Sequence, residues 1–292
     1  MLDHTSRQMI DLERLEQEKA ELRQRFVGTT PFPAIVIDNF LRPGWCDRLG
    51  ADFCAVLSAK NPDDLKKHKH VLRKVGMSKM EKLSDNHRAF FHEIYDPLFM
   101  DTLAYITGYS KLYSDFQLFG GGLHETWPGG FLNVHTDFNV HPSTGKMRAL
   151  NLLLYLNPDW KPEYEGYLEL WPASMDRCAQ RIAPLQNRAV IFQTSDISFH
   201  GHPIPLACPE GTTRRSLAVY YYADWPDGLK PRTKTNYVFT PLQRQAVGAE
   251  MKKLYEAGCH NEDAMADALP NYERGAVIRL WRELYPRIGR GS

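Results

Sequence analysis

The middle of the chain alternates short hydrophobic runs with breaks rich in glycine, proline and asparagine. From about Lys111 to Asp224 the runs are rich in β-branched and aromatic residues, and no long amphipathic segment separates them. The predicted strands are 115–125, 130–135, 148–156, 166–171, 189–193, 197–202 and 214–222. Closely spaced strands of this kind are typical of an antiparallel sandwich or barrel.

Helical periodicity flanks this β-rich region on both sides. Apolar residues recur at helical spacing in 6–26, 86–107, 240–257 and 261–286. Near the N-terminus, a short apolar run from Ala34 to Ile37 predicts a buried strand. The polar segment 61–82 predicts a loop.

The order of these elements predicts a mainly β protein with flanking helices, an α+β chain. We divide it into an N-terminal helix over 1–30, a β-rich domain over 31–225 with its core at about 111–224, and a C-terminal helical extension over 226–292. The first helix has a partial apolar seam, so a homodimer through it is one option and packing against the domain is the other.

Composition excludes several classes of function. The 36 lysines and arginines nearly balance 35 acidic residues, so we expect no nucleic-acid partner. The five cysteines are widely spaced and form no CxxC pair, which favours a reducing compartment over a disulfide framework. With neither a secretory pattern nor about 18 successive apolar residues, the expected protein is cytoplasmic and has no membrane partner.

The segment His135-Thr136-Asp137 is the most informative chemical signal. Side chains two apart on a strand share a face, so this imidazole and this carboxylate point the same way. Together they supply two of the three ligands of the facial triad that holds non-haem Fe(II). His200 and His202 are both candidates for the third ligand. His202 directly precedes a proline that restricts its backbone, which favours His200.

An arginine opens the apolar strand that follows these histidines. Arg214 and Arg215 precede a run of apolar and tyrosine residues. A buried arginine needs an anionic partner, because an unpaired buried charge is costly. A dicarboxylate would supply that partner through a bidentate pair.

Taken in order, these segments resemble the prolyl-4-hydroxylase-type branch of the 2-oxoglutarate and Fe(II)-dependent dioxygenases. The resemblance covers roughly residues 31–225, with HTD at 135–137, LNLLLYLNPDW at 150–160, GYLEL at 166–170, RAVIF at 188–192, FHG at 199–201 and RRSLAVYYY at 214–222. It departs from the compact pattern in the longer loop before Arg214 and in Glu165-Gly166, where the family commonly has two glycines.

The resemblance implies a double-stranded β-helix, or jelly roll, with a metal at its open mouth. It implies a hydroxylase that uses Fe(II), 2-oxoglutarate and O2, supported by ascorbate, and that releases succinate and CO2. His135, Asp137 and His200 would bind the iron. Arg214 and Tyr155 would bind the distal carboxylate of 2-oxoglutarate.

The sequence leaves the prime substrate open among small molecules, amino acids and peptidyl residues. Residues predicted to line the substrate site come from two loops near the mouth: Trp127, Phe138, His124 and His141. Two other functions remain alternatives. One is the same scaffold performing desaturation, cyclisation or demethylation, and the other is a non-catalytic metal-binding jelly roll of the cupin type.

Overall fold

The computed structural model describes residues 8–57, 71–229, 231–270 and 272–286. Its helices are α1 (Leu12–Gly28), α2 (Trp45–Leu57), α3 (Asp85–Ile94), α4 (Pro97–Thr107), α5 (Pro241–Glu256), α6 (Glu262–Ala268) and α7 (Arg274–Leu284). Its strands are β1 (Ala34–Ile37), β2 (Val71–Met77), β3 (Gly122–Thr136), β4 (Met147–Tyr155), β5 (Leu168–Trp171), β6 (Gln180–Ile182), β7 (Ala189–Gln193), β8 (Phe199–His202), β9 (Arg214–Ala223) and β10 (Asn236–Tyr237).

The strands form one antiparallel sheet in the order β1-β7-β4-β9-β3-β8-β5-β6, and β2 and β10 also pair with β3. Neighbours in this order are mostly distant in the chain, as in a jelly roll. The sheet curls into a half-barrel with helices around it, which confirms the predicted fold class.

Two hydrophobic layers hold the half-barrel. The larger core packs the four helices α1, α2, α3 and α4 against one face of the sheet. Its buried residues include Phe26, Phe53, Phe90 and Leu152. A smaller cluster fills the inside of the barrel, and its members include Phe32, Tyr155, Leu168, Val190 and Phe192. The opposite faces of the strands are therefore both covered, which explains why their sequences read as nearly continuous apolar runs.

The predicted helix over 86–107 is two helices because of Asp96 and Pro97. The Asp96 side chain accepts a hydrogen bond from the amide of Leu98 and so caps α4. Pro97, which has no amide hydrogen to donate, occupies the first turn of α4. Gly108 ends this helix with a left-handed φ of 81°.

The longest strand, β3, runs without interruption where two separate strands were predicted. Pro128-Gly129-Gly130 looks like a turn signal, but here it lies within the strand. Gly129 has a φ of 76°. A Cβ at Gly130 would lie 2.7 Å from the carbonyl oxygen of Leu72. These glycines therefore allow an irregular strand and close approach of β2, instead of a reversal of the chain.

Part of the predicted loop 61–82 is also a strand. Residues 71–77 form β2 and pair along β3, with a register shift between Leu72 and Lys74. Residues 61–70 of that prediction lie outside the described residues, and its last part contains a short 3-10 helix at Met80–Lys82. The short strands β6 and β10 were not predicted, because stretches of two or three residues carry no readable periodicity.

The C-terminal helices α5 to α7 surround a core of their own. Its buried members include Val247, Met251, Met265, Val277 and Trp281. The Gln243 side chain, in the first turn of α5, donates a hydrogen bond to the Asn133 side chain on β3 at 2.8 Å. The helical extension is therefore attached to the strand that ends at the predicted site, while the division at 30 and 225 stays a prediction.

None of the described helices combines the length and the apolar character that crossing a membrane requires. Cys46, Cys178, Cys208 and Cys259 are free thiols.

Candidate metal centre and its cavity

His135, Asp137 and His200 come together at one end of a cavity inside the half-barrel. Their possible ligand atoms all lie within 4.8 Å of one another, and all three side chains are buried. The Asp137 carboxylate lies between the imidazoles, 3.4 Å from His135 Nε2 and 3.5 Å from His200 Nε2. Two imidazoles and a carboxylate on one side of an open space are a donor set that suits non-haem Fe(II).

The pairing of β3 with β8 produces this arrangement. His135 lies directly opposite His200 in the register of the two strands. Gly201 makes the close pairing possible, because a Cβ there would lie 2.8 Å from the carbonyl oxygen of Leu132. The glycine between the two candidate histidines is thus a packing requirement of the site.

Backbone carbonyls fix the orientation of both imidazoles. His135 Nδ1 is 2.8 Å from the carbonyl oxygen of Asn133, and His200 Nδ1 is 2.9 Å from that of Ser198. A carbonyl oxygen only accepts, so each Nδ1 carries the hydrogen and each Nε2 turns its lone pair toward the centre. Burial, together with nearby His135, lowers the pKa of His200 to about 4, so this imidazole is neutral near pH 7.

Two polar residues of β4 hold the Asp137 carboxylate. Asn151 Nδ2 donates to Asp137 Oδ2 at 2.8 Å, and Arg148 Nη2 lies 3.0 Å from the same oxygen. Burial alone would raise the pKa of this carboxyl, but the Arg148 guanidinium and the two histidines hold it well below its usual range. Asp137 is therefore ionised and oriented before any metal binds.

Sequence reasoning missed Arg148. Its side chain is 1% exposed, and its guanidinium lies 3.4 Å from the centroid of the Tyr220 ring. Arg148 Nε also donates to Asn151 Oδ1 at 2.9 Å, which orients the amide that binds Asp137. The available signal was one arginine near the start of the mostly apolar strand β4, the same kind of signal that drew attention to Arg214.

Replacement of Arg148 by methionine is expected to destabilise the metal-free protein by about 3–5 kcal/mol, because it leaves the buried Asp137 charge without its cation. A bound divalent ion would compensate that charge, so Mn(II) should stabilise Arg148→Met more than it stabilises the wild type. Urea unfolding with and without Mn(II) measures both quantities. Arg244→Met, which breaks an exposed pair with Glu283, should cost less than about 1 kcal/mol. Equal stabilisation of wild type and Arg148→Met by Mn(II) would contradict this role.

Arg214 lines the same cavity and is hydrogen-bonded to Tyr155, which lies behind the lining. Arg214 Nη2 donates to the Tyr155 hydroxyl oxygen at 3.1 Å, and Nε donates to the carbonyl oxygen of Gly166 at 2.7 Å. Arg214 has no carboxylate partner among the described residues, and it lines a cavity of about 250 Å³ that also reaches His135, Asp137 and His200. Burial raises the pKa of Tyr155, so its hydroxyl stays protonated and can donate to a ligand.

Arg215 and His202, which are close in sequence to Arg214 and His200, make different contacts from them. Arg215 points to the other face of β9 and pairs with Glu125 at 3.0 Å. His202 lines the cavity but is not a member of the three-residue cluster. Both of its ring nitrogens are buried and lack a hydrogen-bond partner.

The four predicted substrate residues fall into two pairs. His124 and Phe138 line the cavity. Trp127 packs against the main hydrophobic core. His141 lies 3.3 Å from Asp115 and against the Tyr222 ring, and it is not among the cavity-lining residues. Cavity-lining residues that were not predicted include Lys74, Tyr220, Thr235 and Tyr237.

Comparison with known proteins agrees with this geometry. Residues 121–222 match the family model described as the 2OG-Fe(II) oxygenase superfamily. A structure of prolyl 4-hydroxylases from Phytophthora capsici has a TM-score of 0.54 and 19% identity, covering 96% of this chain and 92% of that one. A Trichoplax adhaerens prolyl hydroxylase, solved with a peptide fragment of hypoxia inducible factor, has a TM-score of 0.49 and 15% identity, covering 72% of this chain and 91% of that one. No curated protein matches the chain significantly.

Residues 121–222 therefore form a 2OG-Fe(II) oxygenase domain, and they contain most of the cavity described above. The Phytophthora structure shows that the fold extends over nearly the whole chain. This domain indicates a 2-oxoglutarate-dependent dioxygenase, and the matched family implies Fe(II), 2-oxoglutarate and O2. The sequence-based assignment of family, fold and cofactors is confirmed.

Proposed function

We propose that the chain is a hydroxylase that inserts one oxygen atom into an unactivated C–H bond of a small molecule, an amino acid or a peptidyl residue. The co-substrate 2-oxoglutarate would be converted to succinate and CO2. One observation supports this most strongly: a single cavity holds a His-Asp-His cluster together with a buried arginine that has no protein carboxylate partner among the described residues.

In this proposal His135, Asp137 and His200 are the metal ligands. Their fixed tautomers and the ionised carboxylate match what Fe(II) requires, and the open space beside them leaves room for further ligands. Bound iron would supply the activation of O2 and the oxidation of the substrate. The protein's part is to hold its three donor atoms on one side, which Asn133, Ser198 and Arg148 do through the contacts above.

Arg214 and Tyr155 would bind the distal carboxylate of 2-oxoglutarate. Arg214 uses Nε for Gly166 and one Nη2 hydrogen for Tyr155, so its remaining N–H groups are available to a carboxylate. Tyr155 accepts from Arg214 and therefore keeps its own hydrogen to donate. Leu153, Leu168 and Phe192 line the cavity and would keep water from the aliphatic part of the co-substrate.

Succinate formation is the direct test of this function. Purified protein with Fe(II), 2-oxoglutarate, O2 and ascorbate should release succinate and CO2, and a true prime substrate should increase the rate. A product heavier by one oxygen atom supports hydroxylation, whereas loss of two hydrogens or of a methyl group would identify the alternative outcomes. Metal binding without any succinate formation would instead support the non-catalytic cupin-type alternative.

The two candidate distal ligands can be separated by mutation. His200→Ala is expected to lower Mn(II) affinity and turnover by more than about 100-fold. Even the loss of a residue that only hydrogen-bonds to a metal ligand commonly lowers affinity or activity 10- to 100-fold. His202→Ala should bind Mn(II) as the wild type does, because its imidazole lies outside the cluster. Calorimetric titration of Mn(II) into both variants measures this, and the opposite ranking would exchange the two assignments.

A further inference from the structure

A second cation lies beside Arg214 on the inner surface of the half-barrel. In the sheet register Lys74 is opposite Thr126 on β3, and Thr126 is opposite Arg214 on β9. Residues directly opposite each other on adjacent antiparallel strands share a face of the sheet. Lys74 therefore points to the same side as Arg214, and it lines the same cavity.

Lys74 has no acidic partner among the described residues. Burial, then the nearby Arg214 charge, lowers the pKa of its ammonium to about 8, and the more favourable Asp137 charge only partly offsets them. Near pH 7 the group is still mostly protonated. It is thus a partly buried cation that none of the described acidic residues neutralises.

Two further polar groups near Lys74 also lack partners. His202 is 3% exposed, lines the cavity, and has no hydrogen bond at either ring nitrogen. The Thr126 hydroxyl, between Lys74 and Arg214 in the register, is buried and unpartnered as well. Buried polar groups are nearly always hydrogen-bonded, so the unpartnered His202 imidazole that lines the cavity indicates a polar ligand.

None of the anionic groups in the proposed reaction is left to pair with Lys74. Arg148 already pairs with Asp137. In the proposed function the metal site would take the oxo acid end of 2-oxoglutarate, and Arg214 with Tyr155 would take the distal carboxylate. Lys74 is the remaining cation of the cavity, and an additional anion is needed to match it.

We propose that Lys74, assisted by His202, binds a carboxylate of the prime substrate. The substrate is then a small carboxylic acid, such as a free amino acid, and not a neutral residue within a peptide. The cavity of about 250 Å³ must also hold 2-oxoglutarate, which agrees with a small substrate. This assignment rests on the proposed function and makes it more specific.

Paired acids and amides test the assignment in solution. Free L-amino acids and their primary amides are compared as stimulators of succinate formation. Wild type should prefer the acids by at least about tenfold, and Lys74→Met should lose roughly 10- to 100-fold in kcat/KM toward the acids only. Lys74→Arg should keep most of the preference, and Lys82→Met, at an exposed lysine, should behave as wild type.

Measuring the affinity for 2-oxoglutarate tests the main competing role of Lys74, which is to bind the co-substrate. If Lys74 serves the prime substrate, the Kd of 2-oxoglutarate with Mn(II) should change less than about twofold in Lys74→Met. A large rise in that Kd would place Lys74 in the co-substrate site and overturn the proposal. Amides accepted as readily as acids would also overturn it.

A crystal structure gives an answer that needs no known substrate. Protein is crystallised with Mn(II) and N-oxalylglycine, an unreactive analogue of 2-oxoglutarate, and soaked in bromide as the anion probe. An anomalous bromide peak at the Lys74 ammonium, absent from Lys74→Met, supports the proposal. Contact of Lys74 with N-oxalylglycine, or bromide on surface residues as an adventitious ion only, overturns it. Failure of the wild type to bind Mn(II) and N-oxalylglycine would be a failure of the proposed function itself.

Discussion

Asp137→Asn should lose more than about 100-fold of the Fe(II)- and 2-oxoglutarate-dependent turnover while the protein stays folded. Mutating residues that merely orient metal ligands commonly lowers metal affinity or activity 10- to 100-fold, so replacing a charged ligand should lower activity more. The asparagine oxygen can still accept from Asn151 and lie beside the Arg148 guanidinium, which preserves the packing of the site. Succinate formation measures the loss, and the thermal unfolding midpoint measures the fold.

Asp137→Ala should have an additional effect that Asp137→Asn lacks. It leaves the Arg148 charge buried without a carboxylate, so the free energy of unfolding should fall by about 3–5 kcal/mol. His135→Ala should lose activity without that charge penalty, since His135 is not paired with Arg148. Asp159→Asn, at an exposed loop position with a left-handed φ of 52° that asparagine tolerates, is the neutral control. Near-normal turnover in Asp137→Asn would refute the ligand assignment.

Arg214→Met should weaken 2-oxoglutarate far more than it weakens the metal. Losing one partner of a buried charge pair typically costs about 2–5 kcal/mol, which is roughly thirtyfold to several thousandfold in Kd. Arg214 makes no contact with the His-Asp-His cluster, so the affinity for Mn(II) alone should stay within about twofold. Titration of Mn(II), and then of 2-oxoglutarate into the Mn(II)-loaded protein, measures the two affinities separately.

The adjacent arginine is a matched control for this experiment. Arg215 is on the same strand but faces away from the cavity and pairs with Glu125. Arg215→Met removes the same charge and should leave the Kd of 2-oxoglutarate nearly unchanged. Equal losses of 2-oxoglutarate affinity in the two variants would show that net charge, and not a pair at Arg214, controls binding.

The sequence was sufficient to place the residues whose positions follow from strand alternation. His135 and Asp137 are two apart, as are His200 and His202, so each pair had to share a face, and the structure agrees. The choice between His200 and His202 depended on the register of β8 against β3, which the His135–His200 pairing now gives. Tyr155 beside Arg214 was suggested only by the family resemblance, and the two side chains are hydrogen-bonded.

Long-range pairing explains what the sequence could not show. Arg148 becomes a partner of Asp137 only because β4, carrying Arg148 and Asn151, lies beside the end of β3 in the curled sheet. Lys74 reaches the cavity because β2 pairs with β3 through an irregular register, in a segment whose polar composition predicted a loop. Local periodicity contains no information about such partners.

The predicted boundaries of strands and helices were limited in the same way, because they relied on local sequence signals alone. Proline and glycine at 128–130 predicted a break between two strands, which is wrong, because pairing with the neighbouring strands keeps β3 continuous. The Asp96-Pro97 pair divided a helix whose apolar spacing had appeared unbroken. In both cases the residue types were informative, and the neighbouring elements determined their effect.

The most direct test is anomalous diffraction at the iron edge from an anaerobic crystal containing Fe(II) and 2-oxoglutarate. The account predicts one internal peak bonded to His135 Nε2, an Asp137 carboxylate oxygen and His200 Nε2, with the distal carboxylate of 2-oxoglutarate on Arg214. Iron held by His202 in place of His200, or iron only at the surface with Arg214 left unpaired, would contradict it.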